Sequence, residues 1–321
     1  MKKILTLILF ASMMMATNGA FAQNTLVAAL EHEGSFTYFY GINALVQAHE
    51  AAAHGDVITL SEGTFNPLTI TKAVSIYGAG MEFSNVSAVT SFSGDLTINI
   101  TEEVNTPLIM QGIYTNHTIT VTTAPKNSSI SKSRIGEIDI NDEMTFVHCR
   151  ILQSSGNGLK CMYNCFLRCV QSVNTYNFMC NNCVIDLYDS PTQIQNSSFY
   201  NCIISARASA TSLPNSNIVF NSLGIGNNVF YSVSGNNNAT GNSEDIFKTY
   251  INTYTDEETF ELTDEAKTTY KGTDGTEVGL YGGSFPYDPT PSLPLITSYQ
   301  VANKAVNGKV SVNIKINGAT E

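Results

Sequence analysis

Apolar and polar positions alternate in short runs through most of the chain, and between residues 130 and 224 these runs fall into register. Six phrases align on Ser133, Cys149, Cys165, Cys183, Cys202 and Ser222. Three positions earlier stand Ile130, Phe146, Met162, Cys180, Phe199 and Val219; two positions later stand Ile135, Ile151, Leu167, Ile185, Ile204 and Gly224. Period two within each run predicts short strands. A repeat of 16 to 20 residues cannot bury a core of its own, so its copies must stack into a solenoid. Apolar positions at −3, 0 and +2 all face inward only if the backbone bends between −3 and 0. Position −1 holds Lys132, His148, Asn164, Asn182, Asn201 and Asn221. Asn tolerates left-handed backbone geometry, which places the bend there. Stacking then predicts a ladder of Asn amides bonded to one another, with a column of cysteines behind them packing as small apolar residues.

Upstream, residues 42–53 read as an amphipathic helix with Ile42, Leu45, Val46, Ala52 and Ala53 on one side, ended by Gly55. Short β-branched runs follow at Val57 to Leu60, Gly63 to Phe65, Leu68 to Ile70 and Ala73 to Tyr77. The helix, the Gly55-Asp56-Val57-Ile58 strand, the Gly63-Thr64-Phe65 turn and the Ile76-Tyr77-Gly78-Ala79-Gly80 closure together resemble the start of right-handed parallel β-helices of the pectin-lyase-like superfamily. The far end is similar to the closure of secreted bacterial β-helices. It has Asp245-Ile246-Phe247, Phe260-Glu261-Leu262-Thr263 and the turn Gly272-Thr273-Asp274-Gly275-Thr276-Glu277-Val278-Gly279-Leu280-Tyr281-Gly282-Gly283. The Ser-Pro-Ala-Ile usual in that closure is replaced by Asp264-Glu265-Ala266-Lys267. The resemblance implies an all-β fold, a single-stranded right-handed parallel β-helix over residues 57–285. It also implies an N-terminal cap over 23–56, whose helix hides the open end of the solenoid.

Residues 1–22 carry Lys2 and Lys3, an apolar run from Ile4 to Ala11 and the small-residue end Ala20-Phe21-Ala22. That order reads as a cleaved signal peptide, so the protein is expected to be exported to the periplasm, the cell surface or beyond. No later run is long and apolar enough to span a membrane. Residues 286–321 open with Pro286, Pro289, Pro291 and Pro294 as a linker. They end on an alternating strand, Val310, Val312, Ile314 and Ile316, for which capping of the last rung is preferred over a place in a small appended domain or a secretion signal. Only 13% of residues are charged and the net charge is −11, which argues against nucleic acid as a partner. Oligomeric state is left open.

Seven cysteines raise the alternatives of zinc, disulfides and interior packing. A ladder sends its thiols to successive floors rather than to one point, so packing is preferred and no metal is expected. The chain has no Trp and lacks the Trp-Ile-Asp-His and Arg-x-Pro-x-x-Arg patterns of pectate lyases. It also lacks the Asn-Thr-Asp, Asp-Asp, Gly-His-Gly and Arg-Ile-Lys motifs of polygalacturonases. The remaining catalytic candidates are Arg134, His148 and Arg150, which the register groups with Lys132 on two adjacent rungs as a basic patch suited to a uronate carboxylate. Tyr163, Tyr200 and Phe220, at the outward position −2, are candidates for stacking on sugar rings. The reading is a non-catalytic protein that binds carbohydrate or another cell-surface component, with no cofactor. The alternatives are a divergent polysaccharide lyase or glycoside hydrolase, in which Ca²⁺ becomes relevant for a lyase, and a structural or adhesive solenoid.

Overall fold

A computed structural model describes residues 26–81, 89–169, 175–187, 194–206, 213, 216–226, 229–230, 233–249, 258–290, 295–301 and 312–317. The proposed signal peptide, residues 1–22, lies outside them. The chain winds into an all-β parallel solenoid of about 8 turns. Its walls are an 11-stranded sheet and a 13-stranded sheet. A typical turn enters through Met144–Val147, bends at His148, crosses Cys149, and continues through Arg150–Ile151 and Ser154–Ser155 before the next turn begins. Successive turns pair in parallel and in the expected register: Phe146 lies opposite Met162, Met162 opposite Cys180, and Cys180 opposite Phe199.

The bend is where the Asn pattern places it. Lys132, His148, Asn164, Asn182, Asn201 and Asn221 all adopt left-handed backbone angles, with φ between 46° and 54°. Asn237 extends the column with φ 56°, and at the other end Gly112 has φ 71°. A left-handed residue reverses side-chain parity at the corner. Phe146 and Cys149 can then both point inward although three residues separate them.

Behind the bend, position 0 does more than pack. The Cys149 backbone N–H donates to Cys165 Sγ at 3.3 Å, Cys165 N–H to Cys183 Sγ at 3.5 Å, and Cys183 N–H to Cys202 Sγ at 3.4 Å. Cys202 N–H donates to Ser222 Oγ at 3.0 Å, and Ser222 N–H to Asn238 Oδ1 at 3.1 Å. Each of these thiols or hydroxyls also donates to a carbonyl two residues back, as Cys202 does to Tyr200 O and Ser222 to Phe220 O. Cys and Ser share the column because both accept from one rung and donate to a carbonyl, which satisfies an N–H that the bend removes from the sheet. All seven cysteines are free. Burial raises the Cys149 and Cys183 thiols above their usual range, so they stay protonated as these bonds require.

At the N-terminal end the 11-stranded sheet is extended by an antiparallel hairpin, Val27–His32 with Ser35–Tyr40. The adjacent helix is shorter than expected, Ala44–Ala51, and buries Ala44, Leu45, Ala48 and His49. Ile42, assigned to the apolar side, precedes the helix and is exposed. His49 takes its place inside because its Nε2 accepts the Thr71 backbone N–H at 3.2 Å. Burial, then the nearby Lys72 and His54, lower its pKa to about 4. At the other end, Val312–Asn317 pairs antiparallel with Leu295–Val301 in a two-stranded sheet of their own. The strand expected to join the last rung thus has a local partner; Val310, Pro291 and Pro294 fall outside the described residues.

Candidate functional site

The basic patch forms as the register requires. Arg134 and Arg150 lie directly opposite each other on neighbouring strands of the 13-stranded sheet, with Lys132 and His148 beside them in the bend column. Its surroundings are another matter, because a later part of the chain runs back along that column. Thr273 N–H donates to Asn201 Oδ1 at 3.0 Å, and Gly279 N–H to Asn201 O at 2.8 Å. Asn164 Nδ2 donates to Leu280 O and to Gly282 O, each at 2.8 Å. His148 Nε2 lies 3.0 Å from Phe285 O; a carbonyl only accepts, so Nε2 carries the proton. Lys132 Nζ donates to Thr290 O at 2.8 Å and pairs with Asp288 at 3.5 Å. Burial alone would raise the Asp288 carboxyl, but bonds from Thr290 and the Lys132 ammonium outweigh it and hold it low.

Residues 273–290 are therefore a strap that descends the bend column rung by rung. The Asn164 and Asn201 amides bond the strap and not one another, and Asn182 Nδ2 is buried against it without a hydrogen-bond partner among the described residues, which corrects the expected amide ladder. The rungs are already joined at this column by backbone bonds, such as Asn164 N–H to Asn181 O at 3.0 Å and Asn182 N–H to Tyr200 O at 3.0 Å. The side chains are thus free to face outward. Close approach explains the glycine pair: a Cβ on Gly282 would sit 1.7 Å from Glu277 O and 2.6 Å from Asn182 Nδ2.

The strap is seated by a second apolar core on the outside of the 13-stranded sheet. Phe166, Val184, Ile203 and Leu223 form an outward column, and Ile246, Phe247, Phe260, Leu262, Val278 and Leu280 close over it. Phe260 stacks on Phe166 with ring centroids 4.6 Å apart. Arg150 and Arg134 continue the same column where its apolar members end. Arg150 lies over the Phe166 ring at 5.7 Å and donates through Nη2 to the Glu258 carbonyl. Arg134 is buried, over the Tyr114 ring at 4.7 Å, with Nη1 donating to Asn116 Oδ1 at 2.8 Å. Lys132, Arg134, His148 and Arg150 thus come together, but each holds a neighbouring part of its own chain.

A further buried cation was not singled out by sequence. Lys160 is wholly buried, and its Nζ donates to Gly156 O, Gly158 O and Tyr176 O at 2.8, 3.0 and 3.1 Å. Burial lowers its pKa to about 8, with Asp139 acting in the opposite sense. Three carbonyl acceptors at one corner give it a structural role. Among the described residues, no group of three or more His, Cys, Asp or Glu converges as a metal site. A cavity of about 510 Å³ between residues 100–105 and 123–127 has none of the candidate residues in its lining.

The aromatic candidates stand on the opposite wall. Tyr163, Asn181, Tyr200 and Phe220 lie in one outward column of the 11-stranded sheet. The Tyr200 and Phe220 rings stack at 5.6 Å with 12° between planes, and Tyr163 is 39% exposed. Tracing the register across the sheet extends that surface. The outward residues from the solenoid's first rung onward are Val57, Thr59, Ser75, Tyr77, Ile109, Gln111, Ser129, Ser131, Thr145, Val147, Cys161, Tyr163, Met179, Asn181, Ser198, Tyr200, Ile218 and Phe220. None is charged, although the chain has 16 basic and 27 acidic residues. Nine strands at a spacing of ~4.8 Å make this a strip about 38 Å long. Met179, Asn181 and Ile218 were not singled out beforehand; reading positions −4 and −2 of every phrase would have found them.

In class the molecule is a parallel β-solenoid with one strapped wall and one open, uncharged wall. Compared with known protein families, curated proteins and solved structures, the chain gives no match.

Proposed function

We propose that this is an exported, non-catalytic carbohydrate-binding solenoid, akin to the pectin-lyase-like proteins, which holds an extended neutral glycan along the outer face of its 11-stranded sheet. The observation that carries this reading is the charge-free strip with Tyr163, Tyr200 and Phe220 standing on it. Aromatic faces accept the C–H-rich faces of pyranose rings, and the Asn, Gln, Ser and Thr between them offer hydrogen bonds to hydroxyls. Tyr163 and Tyr200 are two strand spacings apart, about 9.6 Å, which suits alternate sugar rings of an extended chain. A neutral strip gives no electrostatic preference for a uronate, and the basic residues that would supply one are held by their own chain, Lys132 and His148 by the strap, Arg150 by the Glu258 carbonyl and Arg134 by Asn116.

The test is a binding panel of neutral and acidic polysaccharides, read alongside release of reducing ends and absorbance of unsaturated uronate. Binding of a neutral glycan that Tyr200→Ala and Tyr163→Ala each weaken, without turnover, supports the proposal. Turnover of an acidic glycan that Arg150→Ala abolishes would replace it with a lyase or hydrolase. No binding to any glycan would leave a structural or adhesive solenoid.

A further inference from the structure

The 11-stranded sheet begins with Ser35–Tyr40, and among the described residues this strand is paired on one side, with Val27–His32. The loop between them is Glu33-Gly34, with φ 49° and 77°, a two-residue turn of the primed type, in which the flanking His32 and Ser35 form a hydrogen-bonded pair. Bonding then alternates along the strand. Ser35, Thr37 and Phe39 face the inner partner, and Gly41 N–H keeps the phase by donating to Leu26 O at 2.8 Å. The backbone N–H and C=O groups of Phe36, Tyr38 and Tyr40 therefore point to the open edge. Their side chains share one face and are 58, 55 and 62% exposed. Sheet edges are ordinarily protected by charges, proline or a bulge. Ser35–Tyr40 has none of these.

We propose that this edge is a self-association surface, where two copies of the chain pair Ser35–Tyr40 antiparallel about a two-fold axis at Tyr38. Tyr38 then lies opposite Tyr38 of the partner subunit, and Phe36 opposite Tyr40 of the partner subunit. All three pairs are hydrogen-bonded, giving six N–H to carbonyl bonds. A slip of one residue would set outward rings opposite inward residues, so side-chain parity excludes odd slips, and a slip of two leaves only two of the three aromatic pairs. The strand is its own complement in this arrangement: aromatic meets aromatic, and the outward-bonding residues are symmetric about Tyr38. Charge also favours a second copy. A chain of net charge −11 repels a second copy overall, whereas Ser35–Tyr40 itself carries no charge, the nearest being Glu31 and His32 on the strand behind it and Glu33 in the turn. A six-residue seam is smaller than the ~1,200 Å² at which stable interfaces begin, so the association is weak and concentration-dependent. It stands whether or not the strip binds a glycan, and it joins the two strips end to end.

Sedimentation velocity across the micromolar-to-millimolar range tests this with the purified protein. The mass is expected to move from monomer toward dimer. Tyr38→Pro removes an N–H that points to the open edge and leaves the inner pairing alone; Tyr38→Lys keeps the backbone and sets two ammonium groups at the axis. Each should move the midpoint at least ~tenfold toward higher concentration, with the melting temperature of the dilute protein unchanged. If Tyr38→Pro perturbs the fold by circular dichroism, Tyr38→Lys decides. A chain that stays monomeric throughout, or variants that dimerise like the parent, would overturn the proposal.

Discussion

Outside the 13-stranded sheet, Phe166, Val184, Ile203 and Leu223 stand in one column, and Ile246, Phe247, Phe260, Leu262, Val278 and Leu280 of the same chain close over them. Outside the 11-stranded sheet, the corresponding column runs Val147, Tyr163, Asn181, Tyr200 and Phe220 and keeps contact with solvent. The same winding builds both walls, so the difference comes from the outward residues: a column without a polar atom at Phe166, Val184, Ile203 and Leu223, or one carrying hydroxyl and amide groups at Tyr163, Asn181 and Tyr200 with Thr145 and Ser198 beside them. The first makes a strand with two apolar faces, which demands a covering layer. The second leaves a strand with one apolar face, whose outer side is available to a ligand. Covered and open walls thus predict opposite responses to the same kind of truncation.

Phe260→Ala tests the covered wall and carries the largest expected effect. The ring is buried, stacked on Phe166 and edge-on to Phe247 at 5.8 Å. Its loss is expected to destabilise by about 3–5 kcal/mol, read by denaturant unfolding. A change below ~1 kcal/mol would mean the covering layer contributes little, and the contrast between walls would fail. Asn164→Ala comes next. It removes two donations to the strap, at about 1 kcal/mol each, and forces Ala into left-handed geometry, at about 1–2 kcal/mol. Asn164→Gly restores the backbone alone and should recover that second part. Equal losses for Ala and Gly would show that geometry plays no part in the choice of Asn.

The bend column shows how far sequence reaches. Position −1 carries its geometry locally, because a side chain that tolerates φ near +50° is rare and Asn is the commonest; Lys132 and His148 were placed by register alone. The partners of those side chains were not legible. They come from residues 273–290, more than 70 residues away, and no local pattern says where a later segment returns. A signal for that return was present in Phe166-Leu167, Val184-Ile185 and Ile203-Ile204. An outward column without polar atoms, recurring over successive strands, calls for a second buried face. At Arg134-Ile135 and Arg150-Ile151 the same outward position is charged, which pointed to solvent, yet Tyr114 and Phe166 supply faces on which guanidinium groups rest.

The interior column belongs to both walls and separates packing from hydrogen bonding. Cys183→Ser keeps an acceptor for Cys165 N–H and a donor toward Asn181 O; Ser133 and Ser222 already fill this role at either end of the column. The expected change is under ~1 kcal/mol. Cys183→Ala leaves the Cys165 N–H buried without its acceptor, at about 1–3 kcal/mol. If Ala proved as stable as Ser, the thiols would be apolar filling and no more.

Tyr200→Ala probes the open wall and carries the smallest stability effect. Its ring stacks on Phe220 but is partly exposed, so truncation should change unfolding free energy by less than ~1 kcal/mol. Truncating Phe260, the ring that closes over the other wall, costs several times more, although both rings lie outside a sheet. What Tyr200→Ala should lose is affinity for a neutral glycan, and because the strip has no charge, that affinity should barely respond to salt between low and physiological ionic strength. A steep salt dependence would move the binding site from the strip to a charged part of the molecule, with the bend column around Lys132 the first place to look. A large loss of stability would place Tyr200 among the residues that hold the fold, and the open wall would then be open in accessibility alone.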